Sequence, residues 1–593
     1  MTALANNAPA YPRPQLTRPL WLSLDGQWEF AFDDGDAGLA ERWYDGRSLP
    51  LKIQVPFPYQ SAASGIKTRD IHEVVWYAQD FTVPADWQYE HLLLHFGAVD
   101  YSTEVWLNGR LVGRNRGGHV PFCFNIAPWL QPGANRIVLR VEDRQDPDQP
   151  RGKQSASGCP VRIYYYCTTG IWQTVWLEPV GSVRIDYLHV ATAAPDGALA
   201  VDVHFHAPFG AWRAEMDVFD ELDSDAIVAS CAATTQEACV RLATQIPHAV
   251  SWSPSSPHLY KLRIRLFQGD TLLDSVESYT GLRSITLQDG KFCLNGKPTF
   301  LLMALDQGYW PDTLLAAPSD DALRADVAWA KSFGFNGVRK HQKIESERWL
   351  YWCDRLGLMV WEEMPNARSW SSGAEESLMA EWQRAVARDV NHPAIIAWVP
   401  VVESLGFPAL LRHPEQQAFL ARMVERTRFL DPHRPVVDND GWEHTDLTDL
   451  CTIHDYTHPV DRLLARYAHT AATGMPPATG WYADKPLFLP GGQYRGQPII
   501  LSEVGGFLTV PPVHPRAKRD RLFDYYDNVH DPAELAAKYQ ALMEGLASLG
   551  FLAGICFTQL ADTEHECNGL LTAARQPKLP PEWLAALHHK LWG

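Results

Sequence analysis

From Thr299 to Leu560 the chain alternates apolar runs of strand length with amphipathic helical stretches, and eight such runs can be counted. They are Thr299–Asp306, Phe335–His341, Leu358–Met364, Ile395–Glu403, Pro435–Asp440, Leu450–Tyr456, Pro498–Glu503 and Ala553–Leu560. Asp320–Phe333 and Pro414–Phe429 typify the helical stretches between them. A strand that is apolar along its whole length is buried on both faces, as in a parallel sheet covered by helices. Eight consecutive units of this kind predict a (β/α)8 TIM barrel over residues 284–593.

Nearly every run finishes on a polar group: Asp306, Arg339 with His341, Glu363, Glu403, Asp440, His454 with Asp455, Glu503 and Gln559. Barrel strands carry their last residues to the C-terminal rim, where barrel enzymes do their chemistry. A barrel selected only for stability has no reason to stack polar groups there. Two of them, Glu403 and Glu503, each close an apolar run, and a pair of carboxylates facing one substrate is the apparatus of glycoside hydrolysis.

Upstream the pattern differs. Gly26–Phe32, His91–Phe96, Thr103–Leu107, Asn135–Val141 and Trp172–Leu177 are short strand-like runs, and Asn108-Gly109 is a hairpin turn signal. Strands at this spacing predict a jelly-roll β-sandwich over residues 1–181. Residues 182–283 continue in strands, among them Ala198–Val203 and Lys261–Leu266, and predict an immunoglobulin-like sandwich.

Composition narrows the function. A net charge of −18 argues against a nucleic-acid or anionic-membrane binder, whose footprint is a basic patch. No stretch approaches the ~18 consecutive apolar residues of a membrane span. The N-terminus, Met1 to Pro9, lacks the basic segment and apolar run of a secretory signal. The 10 Cys form no CxxC pair, so no zinc or dithiol motif is indicated. These features predict a cytoplasmic protein with a small-molecule partner; exposed sandwich faces leave a symmetric homodimer open. The 23 Trp and 21 Tyr supply flat amphipathic surface suited to sugar rings.

Several segments together resemble glycoside hydrolase family 2, the family of β-galactosidases, β-glucuronidases and β-mannosidases. They are Leu24-Asp25-Gly26-Gln27-Trp28, Trp106-Leu107-Asn108-Gly109, Gly170-Ile171-Trp172-Gln173, Asn295-Gly296-Lys297-Pro298 and Phe335 through His341. The resemblance spans nearly the whole chain. It implies a retaining, exo-acting β-glycosidase working by double displacement through a covalent glycosyl-enzyme, with no metal or organic cofactor. Glu403 aligns with the general acid/base and Glu503 with the nucleophile. Arg339 is the expected cation beside Glu503, and Tyr456 a donor to it. Asp306, His341 and His454 either contact substrate or scaffold the rim. Trp442 either stacks on a sugar or fills a loop core, and Glu362 and Asp455 read as structural. Lys340 and Lys343 are the candidates for holding a uronate carboxylate.

One position departs from the family. Val402 stands where relatives carry an Asn that hydrogen-bonds the sugar 2-hydroxyl, and Leu405 stands where they commonly carry Trp. Losing such a contact weakens the transition state. The substrate is therefore unusual at that hydroxyl, or another group supplies the contact, or hydrolysis is weakened. The alternatives to a glycosidase are a carbohydrate-binding protein with little catalysis and a repurposed barrel doing non-hydrolytic chemistry on a metabolite.

Overall fold

A computed structural model describes residues 10–482, 484–509 and 526–593. The N-terminal stretch read above as lacking a secretory signal falls outside the described residues. The first domain is a sandwich of two antiparallel sheets. One has six strands, with Val74–Thr82 and Ala134–Glu142 at its centre, and the other has four, including His91–Phe96 and Val175–Val180. Alternation places Trp28, Phe30, Tyr77, Leu94, Leu139 and Leu177 in the core between them. The second domain pairs a three-stranded sheet containing Ala198–His206 with a four-stranded sheet containing Trp212–Phe219 and Tyr260–Gln268. Both sheets show the in–out burial of strands with one solvated face.

The third domain is a parallel barrel. Its strands are β1 (Leu301–Asp306), β2 (Gly337–Lys340), β3 (Met359–Glu363), β4 (Ile395–Val399), β5 (Cys451–Asp455), β6 (Ile499–Gly505) and β7 (Leu552–Thr558). Their sheet order is β4-β3-β2-β1-β7-β6-β5, all neighbours parallel. The expected fifth run, Pro435–Asp440, is not a regular strand. It closes the gap between β4 and β5 through two isolated parallel bridges, Trp398 to Val436 and Val402 to Asp440. Pro435 has no N–H for the ladder, and the Asp438 carboxylate instead accepts from the N–H groups of Asn439 and Thr445. Helices cover the outside, and side-chain N-caps open three of them at Ser319, Ser371 and Asp531. Among the described residues no helix is long and apolar enough to cross a membrane.

The first domain reaches into the barrel mouth through residues 151–166. The N–H groups of Arg151 and Gly152 donate to the Asn366 carbonyl at 3.1 and 3.0 Å. Gly152 has φ +55°, and a Cβ there would lie 2.7 Å from the Gln342 carbonyl, so the close approach requires glycine.

Candidate active site

The two carboxylates reach the mouth by different routes, and neither sits at the last residue of a strand. Ladder pairing of β4 stops at Val399 because Pro400 follows. Three residues on, Glu403 adopts φ +54° and Ser404 φ +56°, a region that costs non-glycine residues roughly 1–2 kcal/mol each. Neighbours hold this turn. Asn439 Oδ1 accepts the Ser404 N–H at 2.8 Å, Ser404 Oγ donates to Glu443 Oε2 at 2.5 Å, and the Asp440 carbonyl accepts the Glu403 N–H at 2.9 Å. The turn lifts the Glu403 side chain out of the barrel wall, leaving it 25% exposed. Glu503 lies inside β6, two residues short of its end, and its side chain is 8% exposed.

Glu503 sits in a nest of donors. Arg339 Nη1 is 3.3 Å from Oε1, and the Tyr456 hydroxyl donates to Oε2. Arg339 is fully buried and addresses two further carboxylates, Glu363 Oε1 from Nε at 2.7 Å and Asp440 Oδ2 from Nη2 at 2.6 Å. Burial alone pushes the Glu503 carboxyl up, but the charges of His454 and Arg339 outweigh it and hold the group below the usual carboxylate range. It is therefore ionised at neutral pH.

His454 on β5 joins the two acids. Its Nδ1 lies 2.8 Å from Glu403 Oε1 and 3.6 Å from Glu503 Oε2, and its Nε2 lies 2.8 Å from Asp440 Oδ2. Burial works against a charge on this ring, yet Glu503 and Asp440 raise its pKa to about 10. Gly441, at φ +107°, makes room: a Cβ there would meet the imidazole Cγ and Nδ1 at 2.9 Å. One ligand atom from each of Glu403, His454 and Glu503 falls within 4.8 Å of the others, a spacing that could hold a metal ion. Nδ1 already lies at hydrogen-bond distance from Glu403 Oε1, and Nε2 from Asp440 Oδ2. The geometry is that of a proton network.

A cavity of about 250 Å³ opens over this group. Glu403, Glu503, His341, Tyr456 and Trp442 line it. Trp442 both faces the cavity and packs edge-on against His454, with ring centroids 5.6 Å apart. His341 turns Nδ1 to Glu363 Oε2 at 2.8 Å, and burial followed by the nearby Lys153 charge keeps the ring neutral. Arg339 and His454 lie beneath the wall. Asp306 is not on the cavity: its carboxylate accepts from Lys340 Nζ at 2.7 Å and from the Gly308 N–H at 2.8 Å. Lys340 and Lys343 are likewise turned away, buried with Asp306 and Glu345. Glu362 and Asp455 follow the period-two alternation away from the mouth, Asp455 pairing with Tyr467 and Arg466.

Sequence reasoning missed the rest of the wall. Lys153, Arg162, Ile163 and Tyr164 come from the first domain, Trp481 and Tyr482 from the loop before β6, Tyr526 from between β6 and β7, and Glu566 from the segment after β7. Glu566 is buried and accepts from Gln307 Nε2 at 2.9 Å, from the Tyr526 hydroxyl at 3.0 Å and from Lys153 Nζ at 3.3 Å. No local motif marks these residues. Val402 is fully buried, does not line the cavity, and its carbonyl accepts from Asn366 Nδ2 at 3.0 Å.

Two β-sandwiches in front of a parallel barrel, with carboxylates gathered at the barrel mouth, define a class of multidomain carbohydrate enzyme. Residues 21–177 match the sugar binding domain of glycosyl hydrolases family 2, residues 183–283 match a further domain of that family, and residues 285–506 match its TIM barrel domain. The chain belongs to glycosyl hydrolase family 2 and is a glycoside hydrolase. It is 24% identical over 576 residues to a β-glucuronidase of Paenibacillus borealis, covering 88% of this chain and 90% of the relative. It is 26% identical over 452 residues to a β-galactosidase of Thermoanaerobacter pseudethanolicus, covering 74% of this chain but only 56% of the relative. The fold is also that of the crystal structure of Ruminococcus gnavus β-glucuronidase. There the TM-score is 0.78 at 18% identity, with 97% of this chain and 99% of that one covered.

Proposed function

We propose that this family 2 enzyme is a retaining, exo-acting β-glycosidase in which Glu503 is the nucleophile and Glu403 the general acid/base. The observation that carries the reading is the approach of the two acids, which each turn one oxygen to the same His454 nitrogen, at 2.8 and 3.6 Å, so that they face one small space. Retaining enzymes hold their carboxyls about 5–5.5 Å apart, whereas inverting enzymes leave about 6.5–9.5 Å for a water. The division of labour follows from environment. Glu503, buried and ionised among cations, attacks the anomeric carbon; Glu403, open to the cavity, exchanges a proton with the departing oxygen and then with water. A cavity of about 250 Å³ fits one terminal sugar better than a chain passing through, which favours exo action.

The substrate in this reading is a small glycoside or an oligosaccharide end that does not depend on an Asn contact at its 2-hydroxyl, since the Val402 side chain is apolar and does not line the cavity. We place the domain limits of the enzyme at residues 1–181, 182–283 and 284–593. A panel of nitrophenyl β-glycosides, including galactoside, glucuronide, mannoside and furanosides, identifies the sugar. Incubation with the matching 2-fluoro activated glycoside, followed by peptide mass spectrometry, places a covalent label on Glu503. Tight sugar binding with neither turnover nor label would sink the reading and leave a binding protein.

A further inference from the structure

His454 has no part in a scheme of two carboxylates, yet it is built into the centre of the site. The ring is fully buried, with Asp440 Oδ2 2.8 Å from Nε2 and Glu403 Oε1 2.8 Å from Nδ1. Each contact needs a hydrogen, and a neutral imidazole carries only one. Either the ring is doubly protonated and Glu403 is ionised, or Glu403 carries the proton and donates to a bare Nδ1. Both descriptions contain one mobile proton between Nδ1 and Oε1.

The groups facing the ring hold that proton in place. Asp440 takes Nε2 and is itself fixed by Arg339 Nη2 at 2.6 Å. Glu503 Oε2 stands 3.6 Å from Nδ1, close enough to favour positive charge on the ring. Gly441 packs against one side of the imidazole and Trp442 against another, and neither is ionisable. Glu403 is the partly exposed member of the chain, so the proton reaches the cavity through its carboxylate.

Resting on the β-glycosidase reading, we propose that Asp440, His454 and Glu403 form one acid/base unit, with His454 storing the catalytic proton and Glu403 relaying it. In the first half-reaction a Glu503 oxygen bonds to the anomeric carbon. The glycosidic C–O bond breaks, and its electron pair leaves on the departing oxygen. That oxygen takes a proton from Glu403, which is replenished from His454 Nδ1. The site carries one less negative charge on Glu503 and one less proton on the His454–Glu403 pair, so its net charge does not change. Loss of the Glu503 charge also removes a main reason for the imidazole to stay protonated. In the second half-reaction water attacks the anomeric carbon, the ester bond to Glu503 breaks, and the water proton returns through Glu403 to Nδ1.

The test compares His454→Gln with wild type on glycosides of the sugar chosen by the nitrophenyl panel. The 2,4-dinitrophenyl glycoside leaves without protonation, and its kcat/KM stays within a few-fold of wild type up to glycosylation. The methyl glycoside needs an acid, and its kcat/KM falls by about 10²-fold or more. Equal losses on both substrates overturn the proposal, because a merely structural histidine affects both alike. Wild-type enzyme labelled with ¹⁵N-histidine supplies a second measurement that needs no variant. NMR finds His454 doubly protonated in the free enzyme at neutral pH, and trapping with the 2-fluoro glycoside moves the ring's titration to lower pH, because the Glu503 charge 3.6 Å from Nδ1 is gone. Trapping at Glu503 with an unmoved imidazole titration overturns this proposal alone, whereas failure to trap overturns the glycosidase reading and the relay with it.

Discussion

Replacing Arg339 by lysine keeps the positive charge and removes the fork. The guanidinium turns a different nitrogen to each of three carboxylates, at 2.7 Å to Glu363, 2.6 Å to Asp440 and 3.3 Å to Glu503. These partners come from β3, from the segment closing the barrel and from β6, so the side chain ties together walls that no single ladder joins. A lysine ammonium is a compact point donor and does not reproduce a planar spread of contacts. It reaches one of these partners and gives up at least two of the guanidinium's three hydrogen bonds, which go to Glu363, Glu503 and the Ser502 carbonyl, besides the ion pair to Asp440. At about 1.5–3 kcal/mol for each hydrogen bond to a charged group, the loss is roughly 3–6 kcal/mol. Folded proteins have only ~5–15 kcal/mol to lose. Urea unfolding followed by tryptophan fluorescence measures the change. The same substitution weakens the cation beside Glu503, so its carboxyl rises toward the ordinary range and the acid limb of the kcat/KM profile moves to higher pH. An Arg339→Lys enzyme within about 1 kcal/mol of wild type, with its acid limb unmoved, would refute the argument that fork geometry, rather than net charge, holds this site.

Two further outcomes follow from the same network. Gly441→Ala puts a methyl group 2.9 Å from the His454 ring at φ +107°; overpacking and backbone strain together cost about 2–4 kcal/mol, and kcat falls while an alanine at the open Gly133 leaves it unchanged. The His454 ring, raised to about 10, binds its proton more tightly folded than unfolded. Its stabilisation is complete below about pH 6.5 and is lost as pH rises toward 10. Between pH 7 and 9 wild type therefore loses up to about 3 kcal/mol more than His454→Gln; parallel losses in urea titrations at the two pH values would show that the imidazole is not charged in the native state.

Much of the barrel was legible because its signal is local. Apolar runs alternating with amphipathic helices lie within a few residues of one another, and each strand of the sheet overlaps an expected run, with β6 reaching two residues beyond its run and β7 starting one residue before its own. The failures are local too. Pro400 ends β4 before Glu403, and Pro435 with Asp438 withdraws the fifth run from the ladder, details that depend on which N–H groups find partners. The site divides in the same way. Glu403, Glu503, His341, Tyr456 and Trp442 meet at the cavity, and Arg339 and His454 lie just below. Asp306 sits at a strand end like the others, but Lys340 on the neighbouring strand captures its carboxylate.

Sequence by itself determined three domains in order, a barrel in the last of them, and two acids carried toward one rim, because periodicity and strand polarity are properties of neighbouring residues. Tertiary structure alone decided the partners. His454 meets Glu403 across 51 residues, Arg339 meets Glu503 across 164, and Lys153 meets Glu566 across 413. Those distances collapse only when the barrel closes and the first domain docks on its mouth. The charge state of Glu503 is therefore set by groups that no stretch of sequence brings together.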